Sequence, residues 1–126
     1  MTALRQGRIS VLHGVLFTPV FERQVRQAGV EEEHLLGMIA AIAANPESGE
    51  LMVGTGGARK ARHAGRGWGK SGGYRTIHYF GGDDVPVFML SFVDKGKKAN
   101  LTHAERNALA AILPKLATEY RKRNDS

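Results

Sequence analysis

Cysteine is absent from this 126-residue chain. That excludes a disulfide framework, a thiolate zinc site and a thiol nucleophile. Long apolar runs are missing too, so neither a signal peptide nor a membrane span is expected, and a cytoplasmic location is the default. Acid is missing from one place above all: no Asp or Glu lies between Glu50 and Asp83. That gap holds Arg59, Lys60, Arg62, Arg66, Lys70 and Arg75, six cations that equal the whole formal net charge of +6. It also holds, from Gly54 to Gly82, ten of the sixteen glycines. A dense, uncompensated cationic segment with bare backbone around it suits a polyanion with closely spaced phosphates. The competing reading is a solvated basic loop. A sequence pI near 10.0 favours an acidic partner such as nucleic acid.

What is present describes one ordinary globular domain spanning 1–126, with 42% apolar residues and loose tails at 1–7 and 122–126. Arg8 to Phe17 reads as a strand, with Gly14 as a bulge or an end. Thr18-Pro19 starts a helix, because the hydroxyl can cap and proline misses no amide bond at the first helical position. Gly29 ends that helix. A second helix opens on Glu31, Glu32 and Glu33, where the dipole favours anions, and stops at Asn45-Pro46. Together they suggest an antiparallel helical hairpin. Three strands follow, at Ala58–His63, Tyr74–Phe80 and Val85–Val93, as an antiparallel meander. On the pleat Lys60 and Arg62 share a face, and so do Arg75, Ile77 and Tyr79, with His78 opposite to the latter. Thr102-x-x-Glu105 fits a capping box for a last helix, which Pro114 is expected to kink or break.

Two tempting motifs fail on context. Gly69-Lys70-Ser71 resembles the end of a phosphate-binding P-loop, but Ala64 stands where the first glycine belongs and a strand follows instead of a helix. Gly67-Trp68-Gly69-Lys70-Ser71-Gly72 matches a dinucleotide-binding glycine pattern literally, again with no helix after it. His13, His34, His63, His78 and His103 show no metal-ligand spacing, and no metal or other cofactor is expected.

The joined pattern is more specific. Gly-Thr-Gly-Gly-Ala-Arg-Lys-Ala-Arg at Gly54 to Arg62, Gly-Lys-Ser-Gly-Gly-Tyr-Arg at Gly69 to Arg75 and a late Lys95 resemble the RelE/HigB-type toxins of bacterial type II toxin–antitoxin modules. Thr18-Pro19-x-Phe21, Asn45-Pro46-x-x-Gly49 and Asn100-Leu101-x-x-x-Glu105 look like the HigB-like branch. The resemblance spans roughly Val15 to Tyr120. It implies an α+β fold: an N-terminal strand and a two-helix hairpin packed on a small antiparallel sheet, with a C-terminal helix. It also implies an mRNA endonuclease (an mRNA interferase) that acts on the ribosome, inhibits translation and is neutralised by a cognate antitoxin, a small helix-turn-helix protein.

Metal-free RNA cleavage uses the ribose 2′-hydroxyl to attack the adjacent phosphate. It needs a base for that hydroxyl, cations for the pentavalent phosphate and an acid for the leaving 5′-oxygen. The resemblance places Lys60, Arg62, Arg75 and Lys95 in the catalytic cleft. Arg75 suits the phosphate oxygens by its forked geometry, and Lys60 is the one base candidate of the Lys60–Arg62 pair. His78 is the candidate acid, with packing in the core as the competing role. Arg59, Arg66, Lys70, Lys97 and Lys98 are expected to hold RNA or ribosomal backbone, and Trp68 to stack on a base or plug the fold. Two segments depart from the family, and the first is His78-Tyr79, where some members have two tyrosines on the middle strand. Where an aromatic, a small residue, Lys and a polar residue are usual, this chain has Val93-Asp94-Lys95-Gly96, which loses the aromatic and sets an anion beside the cleft. Two alternatives stay open: a toxin of the same fold that binds a protein such as gyrase, and a decayed RNA-binding member.

Overall fold

The computed structural model describes residues 14–64, 73–94 and 100–125, with side chains as far as Arg123. The expected tail at 1–7 and the first part of the strand expected from Arg8 lie outside the described residues. In chain order the elements are β1 (Val15–Phe17), α1 (Pro19–Ala28), α2 (Glu32–Ala44), β2 (Glu50–Leu51), β3 (Ala58–His63), β4 (Tyr74–Tyr79), β5 (Val87–Val93) and α3 (His103–Asp125). The fold is α+β.

The strands form one sheet in the order β1-β5-β4-β3-β2. The meander β3-β4-β5 is antiparallel, as its short connections require. Two strands extend it. β1 joins the far side of β5 in parallel, with Val15 opposite Val87, and β2 joins β3 with Glu50 opposite Lys60. The sheet is therefore five-stranded and mixed, larger than the antiparallel core expected from the sequence.

A bulge in β5 sets its faces. Ile77 pairs with Ser91 but His78 pairs with Met89, leaving Leu90 as the extra residue. Met89 and Phe92 are an odd number of residues apart and would otherwise point to opposite faces. The bulge turns both into the same core. That core lies between the hairpin and the sheet and gathers Phe21 of α1, Met38 and Ile42 of α2, and Ala61, Tyr74, Val87, Met89 and Phe92 of the sheet. Phe21, Val87 and Met89 are fully buried, each worth about 1.5–3 kcal/mol relative to exposure.

The second face has a smaller core, in which Leu113 of α3 meets Met52, Ala58 and Ile77. The layers thus run hairpin, sheet, α3. Gly56 permits the close approach of α3: a Cβ there would lie 3.1 Å from the Ala110 Cα. The bidentate pair between Arg121 and Asp84, at 2.6 and 2.9 Å, ties the far end of α3 to the β4–β5 turn and holds the exposed Asp84 carboxyl below the usual carboxylate range.

The local start and stop signals are realised. Thr18 caps α1 by accepting from the Phe21 amide at 3.2 Å, and its hydroxyl donates to the Met89 carbonyl at 2.9 Å. Gly29 closes α1 in the left-handed conformation, φ 68°. Thr102 and Glu105 complete the capping box of α3, with both bonds made. Pro114 does not break α3, which runs unbroken to Asp125. Leu113 and Ala117 are buried beside it, and that packing offsets the lost amide bond of about 3 kcal/mol or more. The same continuity replaces the loose tail expected at 122–126 with helix as far as Asp125.

Candidate functional site

Alternation along β3 and β4 sorts the charged residues. Residues paired across antiparallel strands point to the same face. Lys60 pairs with Ile77 and Arg62 with Arg75, so the three cations share the face that carries Ile77. α3 covers one half of this face through Leu113 on Ala58 and Ile77. Lys60, opposite Ile77, is half-buried, and one rung farther on this face come Arg75, half-buried, and Arg62, exposed. The side chains of Lys60 and Arg62 make no hydrogen bond or ion pair with another described residue.

The Arg62–Arg75 rung sets two guanidinium groups directly opposite each other on neighbouring strands. An anion lying across the rung can accept from both guanidinium forks. Beyond Arg75 the register continues to Val93, followed at once by Asp94.

The sequence reading missed one group here. Glu50, exposed on β2, stands opposite Lys60, which adds a carboxylate to the cationic face. Nothing in the sequence marked the two-residue strand that places it. Lys95, Arg66, Trp68, Lys70, Lys97 and Lys98 lie outside the described residues.

The structure does not bring His78 or Arg59 to this face. They pair with each other on the hairpin side of the sheet. His78 is fully buried, and its Nε2–H donates to the Pro46 carbonyl at 2.8 Å. That bond assigns the proton to Nε2, and Nδ1 has no hydrogen-bond partner among the described residues. Burial lowers the imidazole's pKa, the Pro46 bond opposes that, and the nearby Arg59 charge lowers it further. A buried, neutral imidazole on the far side of the sheet cannot donate a proton at Arg75. Its competing role, packing in the core, is the one the geometry supports.

Arg59 donates from Nη1 to the Glu47 carbonyl at 2.8 Å, with a longer approach to Gly49 at 3.5 Å. Gly49 itself has φ 87°, and a Cβ on it would lie 2.5 Å from the Lys60 carbonyl oxygen. His78, Arg59 and Gly49 together seat the turn from Asn45 to Gly49 against β3 and β4. This gives Asn45-Pro46-x-x-Gly49 a structural purpose: it fixes the backbone that carries Lys60.

Two further histidines lie on the hairpin side. His63 Nε2 and Thr76 Oγ1 share a hydrogen bond at 2.9 Å, and His34 Nε2–H donates to the Ala64 carbonyl at 3.0 Å. Burial pushes His63 down to about 4, with the neighbouring His78 and His34 adding to the fall. No described helix is long and apolar enough to cross a membrane.

Comparison with known proteins adds two findings. The family model described as the RelE toxin of the RelE/RelB toxin–antitoxin system matches residues 14–126. Among solved structures, a free-state mutant of the E. coli toxin RelE carrying two Arg-to-Ala substitutions is similar to this chain at 18% identity. The match covers 79% of this chain and 95% of that one, with a TM-score of 0.49.

Proposed function

The chain belongs to the RelE family of toxins from toxin–antitoxin modules, and we propose that it inhibits translation by cutting mRNA on the ribosome through attack of a ribose 2′-hydroxyl on the adjacent phosphate. The observation that carries this reading is the Arg62–Arg75 rung with Lys60 beside it, on the face of the sheet that also receives α3.

The roles follow from position. The scissile phosphate lies across the rung, and Arg75 and Arg62 stabilise the charge that builds on its equatorial oxygens. The 2′-hydroxyl proton is taken from the Lys60 side of the rung. Lys60 is the candidate base, and Glu50, opposite it in register, is a second acceptor on the same face. Attack forms a 2′,3′-cyclic phosphate and expels the 5′-oxygen of the next nucleotide, which takes a proton to leave a 5′-hydroxyl. Lys95 is proposed on the leaving-group side, and Arg66, Trp68, Lys70, Lys97 and Lys98 as contacts to RNA and ribosome. His78 has no place in this scheme.

Family membership implies an antitoxin partner. That it is a small helix-turn-helix protein, and that this chain sits in the HigB-like branch, are proposals resting on the sequence pattern alone.

The test is controlled expression with mapping of cellular mRNA 5′ ends. Cuts within reading frames, in register with codons and absent from Arg75→Ala, are expected. Growth arrest with intact mRNA would overturn the nuclease reading in favour of a protein target. Harmless expression with RNA binding retained would indicate a decayed member.

A further inference from the structure

The Arg62–Arg75 rung is the last but one of the β3–β4 ladder, and the last is His63–Tyr74. Residues 64–73 join the two strands, too many for a two-residue turn to set their register, and five of them are glycine. Local sequence thus does little to fix this end of the ladder, and the hold comes from elsewhere in the fold.

α2 supplies it. His34 stands in the first turn of that helix, and Met38 and Ile42, four and eight residues on, share its helix face. Both are buried in the core between hairpin and sheet, so the face that carries His34 is pressed against the strands. The His34 ring touches both strand ends. On the β3 side its Nε2–H donates to the Ala64 carbonyl at 3.0 Å, directly after the last rung. On the β4 side it meets the Tyr74 ring edge-to-face, with centroids 5.3 Å apart. One imidazole therefore bridges the two strands where their ladder ends.

The bridge is itself anchored. Tyr74 packs on Phe92 of β5 with centroids at 5.1 Å, and Phe92 meets the fully buried Phe21 of α1 edge-on at 6.1 Å. His63, the rung partner of Tyr74, bonds Thr76 at 2.9 Å and so crosses from β3 to β4 as well. All of these contacts lie on the hairpin side. Neighbouring rungs alternate faces, so Arg62 and Arg75 project from the opposite side of the sheet. His34 cannot touch a phosphate there and acts through the backbone: Arg62 stands two residues before Ala64, and Arg75 follows Tyr74 directly.

We infer that His34 is a positioning residue: by tying the Ala64 carbonyl to the Tyr74 ring it holds the backbones of Arg62 and Arg75 at the spacing that sets both guanidinium groups on one phosphate. Its role in cleavage rests on the nuclease reading, whereas its hold on the ladder end is measurable without cleavage. A misplacement of about 1 Å at a reacting group can cost about 100-fold in rate. The hydrogen bonds of the ladder itself remain when His34 is removed, so the expected loss is smaller, about tenfold.

The experiment compares the full chain as wild type, as His34→Ala, which removes both contacts, and as His34→Gln, which keeps a side-chain N–H donor. Native-state amide hydrogen exchange is followed along β3 and β4. His34→Ala should lose about tenfold in protection at the slowly exchanging amides of 62–64 and 74–76, with those of 58–60 and 77–79 unchanged. His34→Gln should recover most of that loss. In parallel, single-turnover cleavage on programmed ribosomes is measured against toxin concentration, which separates the maximal rate from half-saturation. The maximal rate of His34→Ala should fall about tenfold with half-saturation within about twofold, and His34→Gln should stay within about threefold of wild type. Unchanged protection at 62–64 and 74–76, an equal loss along both whole strands, an unchanged maximal rate in His34→Ala, or a His34→Gln no better than His34→Ala would overturn the inference. If protection falls as expected and the wild type makes no cuts, the nuclease reading falls and the hold of His34 on the ladder end stands.

Discussion

His63 offers a sharp test of the packing beneath the hairpin. Its imidazole bonds to the fully buried Thr76, and its pKa is pushed from 6.5 to about 4, first by burial and then by the charges of His78 and His34. The folded value lies below the unfolded one, so the neutral form is the one that folding favours. The stabilisation is complete above pH 6.5 and is lost as pH falls from 6.5 through 4, where the unfolded chain binds a proton that the folded chain resists. At about 1.4 kcal/mol per decade, the ceiling is about 3.4 kcal/mol, of which about 2 kcal/mol is lost by pH 5. The ring is partly solvated, and screening reduces that loss to about 1–2 kcal/mol. Urea unfolding of wild type and His63→Gln at pH 7 and pH 5 measures it. With a slope of about 1–2 kcal/mol per molar, the wild-type midpoint should fall by roughly 1 M more than that of the variant. Carboxylates elsewhere shift both proteins alike and cancel in the difference. Parallel pH dependence, within about 0.3 kcal/mol, would refute the reasoning.

Three other substitutions probe the scaffold and the site. Gly49→Ala would force a Cβ to 2.5 Å from the Lys60 carbonyl oxygen at φ 87°, so it should cost about 2–4 kcal/mol in chemical denaturation, and a loss under about 0.5 kcal/mol would contradict the tight seat of the turn. Thr18→Ala removes both the cap on Phe21 and the bond to Met89, for an expected loss of about 1–2 kcal/mol by thermal or urea unfolding. Arg62→Ala should lower mRNA cleavage about 100-fold while changing stability by less than about 0.5 kcal/mol, because the side chain is exposed; a destabilisation beyond about 1 kcal/mol would show that Arg62 serves the fold instead.

What was legible in the sequence was what local rules govern. Thr18-Pro19, Gly29 and the Thr102–Glu105 box announce their helix ends because a cap depends on a few neighbouring residues. Two-residue alternation likewise grouped Lys60 with Arg62 and Arg75 with Ile77 before any register was known. Pairing between distant segments was not legible. The parallel join of β1 to β5 and the two residues of β2 have no signature of their own, so Glu50 could not be placed opposite Lys60. The face of His78 depends on which side of the sheet receives the hairpin, and Arg59 is taken up by a carbonyl of a turn twelve residues away. Pro114 misled for the opposite reason: its local rule is sound, and buried neighbours override it.

The central claim is that the cationic rung drives 2′-hydroxyl attack on mRNA. The most direct measurement uses programmed ribosomes carrying end-labelled mRNA, with the product ends identified for wild type and Arg75→Ala. The account predicts a 2′,3′-cyclic phosphate and a 5′-hydroxyl at the cut, no cut when the flanking ribose carries a 2′-O-methyl group, and cleavage at least about 100-fold slower in Arg75→Ala. A 5′-phosphate product, cleavage that survives 2′-O-methylation, or undiminished cleavage by Arg75→Ala would contradict it.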